Sequence, residues 1–339
     1  MKKCIFILPY FGEFKNYFQL FLDSCGYNAG FNWLIITDSK GKYVYPENVK
    51  VLEMDFGELR QIIQRKFDFP ISLKTPYKLC DFKPAYGYVF EEYIQDYQYW
   101  GHCDCDLIFG DLSLELNNLL AEGYDKLFAA GHLTIYRNTV VNNRRFMLPF
   151  LDNGPIYRSA LSRDEIFAFD EMYYAANVHM IFKQYGFSVY ENDLAFNAST
   201  DRTEYCRKTY NIERHAWTEE RVKRNLLYWY NGKIIAIHRE GNNLLKREFI
   251  YLHLQGRSFN TIAERLVPNT TVLFQDGKIV QVNTIQSDLS VSGDFRDFFK
   301  RRFTSVEIGK AIRRFKRNIL KIQPIRWREP WNFNPYKEF

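Results

Sequence analysis

Asp104 and Asp106 stand two residues apart in the stretch YWGHCDCDLIFGDL, inside a run that is otherwise mostly aromatic and aliphatic. An ionised carboxylate is expensive to bury without a partner, so two of them in such a run call for a counter-charge. Residues i and i+2 of a strand share a face, which points both carboxylates the same way. In a parallel α/β sheet, ligands bind beyond the carboxyl ends of the strands. Two carboxylates at that edge can share a divalent cation, and an oxygen-only pair suits Mg²⁺ or Mn²⁺, which keep waters and accept substrate phosphate oxygens. The bland alternative is a solvated turn with surface acids. Against it, the motif sits between two apolar runs, YQYW and LIFGDL. His102, Cys103 and Cys105 invite zinc, but structural zinc sites use a two-residue gap between cysteines and a second ligand pair. The six cysteines, Cys4, Cys25, Cys80, Cys103, Cys105 and Cys206, are read as reduced thiols in or near a core.

The elements that must hold this edge are legible on both sides of it. CIFILPYFG reads as a buried strand from Cys4 to Leu8 that stops at Pro9. Phe14, Phe18, Phe21 and Leu22 follow at helical spacing, and Gly26 closes the helix. Trp33 to Thr37 is a second buried strand with Asp38 at its end. Strand, helix and strand in that order predict a parallel sheet. ELRQIIQRKF is helical, KPAYGYVFEEYIQDY predicts a longer helix opened by Pro84, and DEMYYAANVHMIFKQYG predicts one that Gly186 ends. KLFAAGHLTIYRN reads as one or two strands and FIYLHLQGR as another. Asn231-Gly232 and Asp276-Gly277 each sit between apolar runs and predict hairpins. The expected fold class is α/β with antiparallel additions, as one domain over 1–290, followed by a basic segment over 291–339.

A chain of 339 residues with 46% hydrophobic content can bury a substantial core. No apolar run reaches the length of a membrane span, and Pro9, Glu13 and Lys15 cut short the signal-like start, so a cytoplasmic protein is expected. From Phe295 onward there are 13 Lys+Arg against 4 Asp+Glu, a net +9, whereas the whole chain carries only +6. The basic character belongs to the tail. There, Ile308, Ile312, Phe315 and Ile319 form one helical stripe among Lys310, Arg313, Arg314, Lys316 and Arg317, with Trp327 and Trp331 beyond. That pattern suits a helix in the interface of an anionic membrane, or one that folds back on its own domain. The body is slightly acidic and no nucleic-acid module is present, so no nucleic-acid partner is expected.

In combination, these stretches resemble a known family. A DxD after an apolar strand, in a chain opening strand–helix–strand, resembles the nucleotide-sugar glycosyltransferases of the GT-A fold. LPYFGEF, WLIITD, PYKLCDFKPAYGYVF, WGHCDCDLIFGDL, GHLTIYRN, FDE and YLHLQGR, spread over most of 1–275, are similar to one bacterial family encoded in capsule, exopolysaccharide and O-antigen loci. Some members transfer galactofuranose or another hexose. The resemblance implies a metal-dependent hexosyltransferase with a UDP-sugar donor and a lipid-linked or growing glycan acceptor, peripheral on the inner face of the cell membrane. Homo-oligomers remain open, as do donor sugar, linkage and stereochemistry.

The resemblance also assigns roles. Pro9, Tyr10, Phe11 and Gly12 would meet the uridine, with Tyr10 or Phe11 stacking on the base. Asp38 would take a uracil N–H or a ribose hydroxyl, and Lys78, Asp81 and Lys83 would lie by the diphosphate. Asp104 and Asp106 would hold Mn²⁺ or Mg²⁺, with a late histidine, His253 in preference to His238. Arg257, four residues after His253, would touch the diphosphate. In this family a lysine is expected near Gly256, and this chain departs from that. Asp170 or Glu171 would serve as the general base of an inverting transfer; the plain alternative is an N-cap with an acid in the first helical turn. Asp111 and His132 are lesser candidates for the donor sugar. The rival readings are a metal-dependent phosphoryl hydrolase using the same acids, and a non-enzymatic peripheral membrane adaptor.

Overall fold

The computed structural model describes residues 1–282 apart from 152–153, 173–175, 201–204, 212–215, 221–224 and 242. The strands in chain order are β1 (Lys2–Pro9), β2 (Phe31–Thr37), β3 (Val49–Glu53), β4 (Tyr97–Cys103), β5 (Leu107–Phe109), β6 (Lys126–Leu127), β7 (Leu133–Arg137), β8 (Val189–Tyr190) and β9 (Ala195–Asn197). They continue as β10 (Lys208–Asn211), β11 (Ala216–Glu219), β12 (Leu226–Tyr230), β13 (Lys233–Glu240), β14 (Asn243–Phe249), β15 (Tyr251–His253), β16 (Thr271–Gln275) and β17 (Lys278–Val282).

A seven-stranded sheet in the order β3-β2-β1-β4-β7-β6-β8 forms the frame. Its first four strands are parallel to their neighbours, and β7 then runs antiparallel to both β4 and β6. The fold is therefore mixed α/β. The parallel part is built from sequence that is apolar on both faces, as a sheet covered on both sides requires. One face carries Phe6, Trp33 and Tyr99 with Phe18, Phe21 and Phe109, and the other carries Ile5, Ile7, Leu34 and Trp100 with Ile63, Phe82 and Phe182. An antiparallel five-stranded sheet, β14-β13-β12-β16-β17, contains both expected hairpins. Asn231 and Gly232 both have positive φ, 45° and 79°, as a tight two-residue hairpin turn demands. A short sheet, β5-β15-β9, lies at the carboxyl end of β4 and joins the early and late halves of the chain.

Three expectations are corrected here. The helix expected across KPAYGYVFEEYIQDY is a chain of short turns, 3₁₀ at Lys83–Ala85 and α-helical at Tyr86–Val89 and Glu91–Ile94, preceded by a 3₁₀ turn at Pro76–Lys78 and a helical turn at Leu79–Phe82. Gly87 lets this segment lie directly on β4, because a Cβ there would collide with the Trp100 indole. The helix expected from residue 170 starts only at Val178, with Asn177 as its N-cap accepting from the Met180 amide. Asp170 and Glu171 are therefore not its cap. Finally, Asp104 to Asp106 is a turn between β4 and β5 rather than part of a strand. The basic segment and its stripe lie outside the described residues.

Candidate functional site

The turn brings the DxD carboxylates together by a different route from strand alternation. Asp104 is anchored by its amide, which donates to the His132 carbonyl at 2.9 Å, and the Asp106 carbonyl accepts from the Leu254 amide at 3.0 Å. These backbone bonds tie the turn to β7 on one side and to the end of β15 on the other. One ligand atom each from Asp104, Asp106 and His253 lies within 4.8 Å of the others. His238 stands elsewhere, on β13 of the five-stranded sheet beside Leu245, and is not in this cluster.

His253 is fixed through both of its ring nitrogens. Its Nδ1 is 2.9 Å from Asn197 Oδ1, on the neighbouring strand β9, and its Nε2 is 3.4 Å from Asp106 Oδ1. With Nδ1–H donating to Asn197, Nε2 is the atom turned to the acids, the arrangement that orients metal-binding histidines. Asn197 Oδ1 also accepts from Gln255 Nε2 at 2.6 Å. Asp106 Oδ2 accepts the Gly256 amide at 2.8 Å, with Gly256 at φ 63°. Burial opposes the Asp106 charge, but His253 and the Gly256 amide outweigh it and hold the carboxyl below the usual range. Burial likewise opposes the His253 imidazolium, and Asp106, with Asp104 and Glu171 behind it, raises its pKa. Two carboxylates and one imidazole converge here, a donor set of the kind that holds a divalent cation. The His132 ring lies 4.3 Å from that of His253, tilted by 32°, and burial, with His253 and Lys83 adding to it, drives its pKa well down. It is a neutral wall of the cluster.

A second acid pair adjoins the first. Asp170 is 3% exposed, and its Oδ1 is buried with no hydrogen-bond partner. Its Oδ2 is 3.0 Å from Lys83 Nζ, and the same ammonium donates to Asp104 Oδ1 at 2.8 Å and to the Gly131 carbonyl at 2.9 Å. Glu171 Oε2 accepts the Gly131 amide at 3.3 Å. Burial raises both pKa values, and for Glu171 the neighbouring Asp170 adds to it. A Cβ at Gly131 would stand 2.5 Å from Asp170 Oδ2 and 2.8 Å from Glu171 Oε1, so a larger residue there would push both carboxylates aside.

Lys78 and Asp81 support the site from below and do not face it. The pair is 2.7 Å apart with side chains 2% and 0% exposed. Lys78 Nζ also donates to the carbonyls of Ala160 and Glu165, so its three N–H groups are spent. Asp81 accepts the amides of Phe167 and Phe169 at 2.8 and 2.9 Å. The pair thus clamps the loop that presents Asp170 and Glu171, which corrects the expectation of donor contact. Cys80, Asp81 and Asp170 also lie within 4.8 Å of one another, but Lys78 and Lys83 already balance these acids.

The turn after β1 forms the other wall. The Gly12 amide donates to Asp38 Oδ1 at 2.8 Å, with Gly12 at φ 99°. Pro9 is buried at the end of β1, paired in register with Ile36. Phe11 is buried too, its ring edge-on to Phe56, so it is core and not a stacking surface, a second correction. Tyr10 is half-buried, stacks on Phe14 at 4.5 Å, and lines a groove of about 420 Å³ with Glu13, Lys15, Asn16, Arg257 and Phe259. Burial raises the Tyr10 pKa, and Cys105 and Asp106 add to it, so the groove adjoins the cluster. Arg257 lies 4.9 Å over the Tyr205 ring and donates to the Ser199 carbonyl. Asp111 is at the far end of β5 from Asp106, where it accepts the Ser113 amide at the head of the helix Ser113–Glu122. That is a local helix-start role and corrects its assignment to a donor sugar. Asn197 escaped the sequence reading, as did the contacts of Gly131 and Gly256, since all of them rest on partners distant in the chain.

The chain belongs to the DUF6625 family, described as a family of unknown function, whose model matches residues 6–283. No curated protein matches it. The match includes every residue of both acid pairs.

Proposed function

We propose that this protein is a metal-dependent glycosyltransferase of the GT-A type. It would move a hexose (galactose, galactofuranose or glucose) from a UDP-sugar to a lipid-linked or growing bacterial surface glycan. The observation that carries the reading is the convergence of Asp104, Asp106 and His253 at the carboxyl end of β4, beside a groove lined by Tyr10 and Arg257. A divalent cation there would draw diphosphate oxygens into place and balance charge on the leaving nucleotide. Asp104, Asp106 and His253 Nε2 would hold it, with Asn197 fixing the imidazole. The groove would take the nucleotide, with Arg257 at its edge and Asp38 shaping the Gly12 turn.

The second acid pair supplies the base. Asp170 is buried and bound to Lys83, whereas Glu171 keeps part of its surface open. Glu171 is therefore the better placed to take the proton of the acceptor hydroxyl as it attacks the sugar C1, and Asp170 positions Lys83. A raised pKa suits a base working near neutrality. The basic tail would bring the protein to the inner membrane face, where a lipid-linked acceptor resides. Among the described residues no helix is long and apolar enough to cross a membrane.

The test is a thermal-shift panel of UDP, GDP and CMP, each with and without Mn²⁺. A ligand that binds only the folded state raises its melting temperature. UDP with Mn²⁺ is expected to give the largest shift. Equal shifts for all three nucleotides would remove the donor assignment, and no metal-dependent shift at all would remove the transferase reading.

A further inference from the structure

Lys83 holds one member of each acid pair with a single ammonium. Its Nζ is 2.8 Å from Asp104 Oδ1, 3.0 Å from Asp170 Oδ2 and 2.9 Å from the Gly131 carbonyl oxygen. An ammonium has three N–H donors, so each of these contacts takes one. The side chain is 14% exposed, and Asp104 is the more open of its two carboxylates, 35% against 2% for Asp170. Lys83 follows directly on the helical turn Leu79–Phe82, which contains the clamped Asp81, so its backbone is fixed while its head group reaches across the site.

Asp104 therefore has two claimants. A divalent cation on Asp104, Asp106 and His253 needs the carboxylate that Lys83 already holds, and an ammonium within a few ångströms repels that cation. We propose that Lys83 is a built-in counter-cation that competes with the divalent metal for Asp104. When displaced, it turns the freed N–H to the anionic ligand the metal brings, while Asp170 and the Gly131 carbonyl retain the other two. Metal and diphosphate binding are then mutually dependent: metal alone binds weakly, because it must displace Lys83, and the anion repays that displacement. Such coupling is reciprocal by thermodynamic necessity. The inference rests on the metal reading above and adds an order to it, with Asp170 as the pivot.

The test is titration of the full chain with Mn²⁺, followed by the electron paramagnetic resonance of free Mn²⁺, with and without UDP. Wild type is compared with Lys83→Met. Lys83→Met combined with Asp170→Asn removes one charge of each sign and guards against misfolding of the single variant. Both variants are expected to bind Mn²⁺ alone about tenfold or more tighter than wild type, because Asp104 is no longer held by a competing ammonium. Both are expected to lose most of the gain that UDP confers on Mn²⁺ affinity in wild type. Variants that bind Mn²⁺ alone no more tightly than wild type, or that keep the full UDP gain, overturn the proposal. If wild type itself binds no Mn²⁺ even with UDP, the metal reading falls first and the competition falls with it.

Discussion

Asp81→Asn tests whether the buried clamp presents the acid pair. Asp81 is fully buried and meets Lys78 Nζ at 2.7 Å and the amides of Phe167 and Phe169 at 2.8 and 2.9 Å. Asparagine keeps one acceptor oxygen and no charge, so at least one of those amides loses its partner, and the Lys78 ammonium is left buried without a counter-charge beside the Ala160 and Glu165 carbonyls. Breaking a buried ion pair by removing one partner costs about 3–5 kcal/mol, and an orphaned buried amide alone costs about 1–3 kcal/mol. The upper half of the first range is therefore expected, a large share of the roughly 5–15 kcal/mol that typical domains possess. The assay is urea unfolding followed by circular dichroism and tryptophan fluorescence, with wild type alongside. A melting temperature lower by roughly 6–8 °C should accompany it, from an unfolding entropy of about 2.1 cal/mol/K per residue. The loop ending at Asp170 and Glu171 should loosen as well, seen as faster amide hydrogen exchange over 165–171. A stability loss under about 1 kcal/mol would refute the reasoning, since a paired charge in the core cannot be removed so cheaply.

Three further outcomes are expected. Asp104→Asn and Asp106→Asn should each abolish Mn²⁺-enhanced UDP binding in the thermal-shift assay while the circular dichroism spectrum stays that of wild type; full transfer activity in the double variant would end the metal reading of this motif. Burial and Asp170 raise the Glu171 pKa above its unfolded value of about 4.3, so the folded chain keeps a proton the unfolded chain gives up, and stability falls as pH rises above that value. Glu171→Gln removes this slope and should be more stable than wild type at pH 8 with little gain at pH 4, read from urea midpoints; the same difference at both pH values would contradict the assignment. Truncation after Ser305 should release the protein from anionic liposomes, because most of the +9 segment is lost and each basic residue near such a surface contributes roughly 1 kcal/mol; a truncated chain that still binds, or that unfolds, would withdraw the membrane role of the tail.

The sequence by itself determined the parts whose logic is local. Apolar runs set β1, β2 and β4 in a buried sheet, because a strand covered on both faces needs little else. Asn231-Gly232 and Asp276-Gly277 set their hairpins through turn conformation alone. The spacing of Asp104 and Asp106 marked the candidate cation site, although by a wrong geometry: the two residues form a turn, and the carboxylates converge because Leu254 and His132 hold its backbone. Tertiary structure decided everything that depends on partners far along the chain. Only the pairing of β15 with β9 sets Asn197 beneath His253, and only the depth of Lys78 and Asp81 makes them a clamp instead of a phosphate contact. The same holds for Lys83, which spans Asp104 and Asp170 across 21 and 87 residues of chain. Periodicity sees neighbours at helical or strand spacing, whereas burial and charge pairing arise from packing between elements. The chemistry of this site was therefore visible as residue types, and its wiring appeared only in the fold.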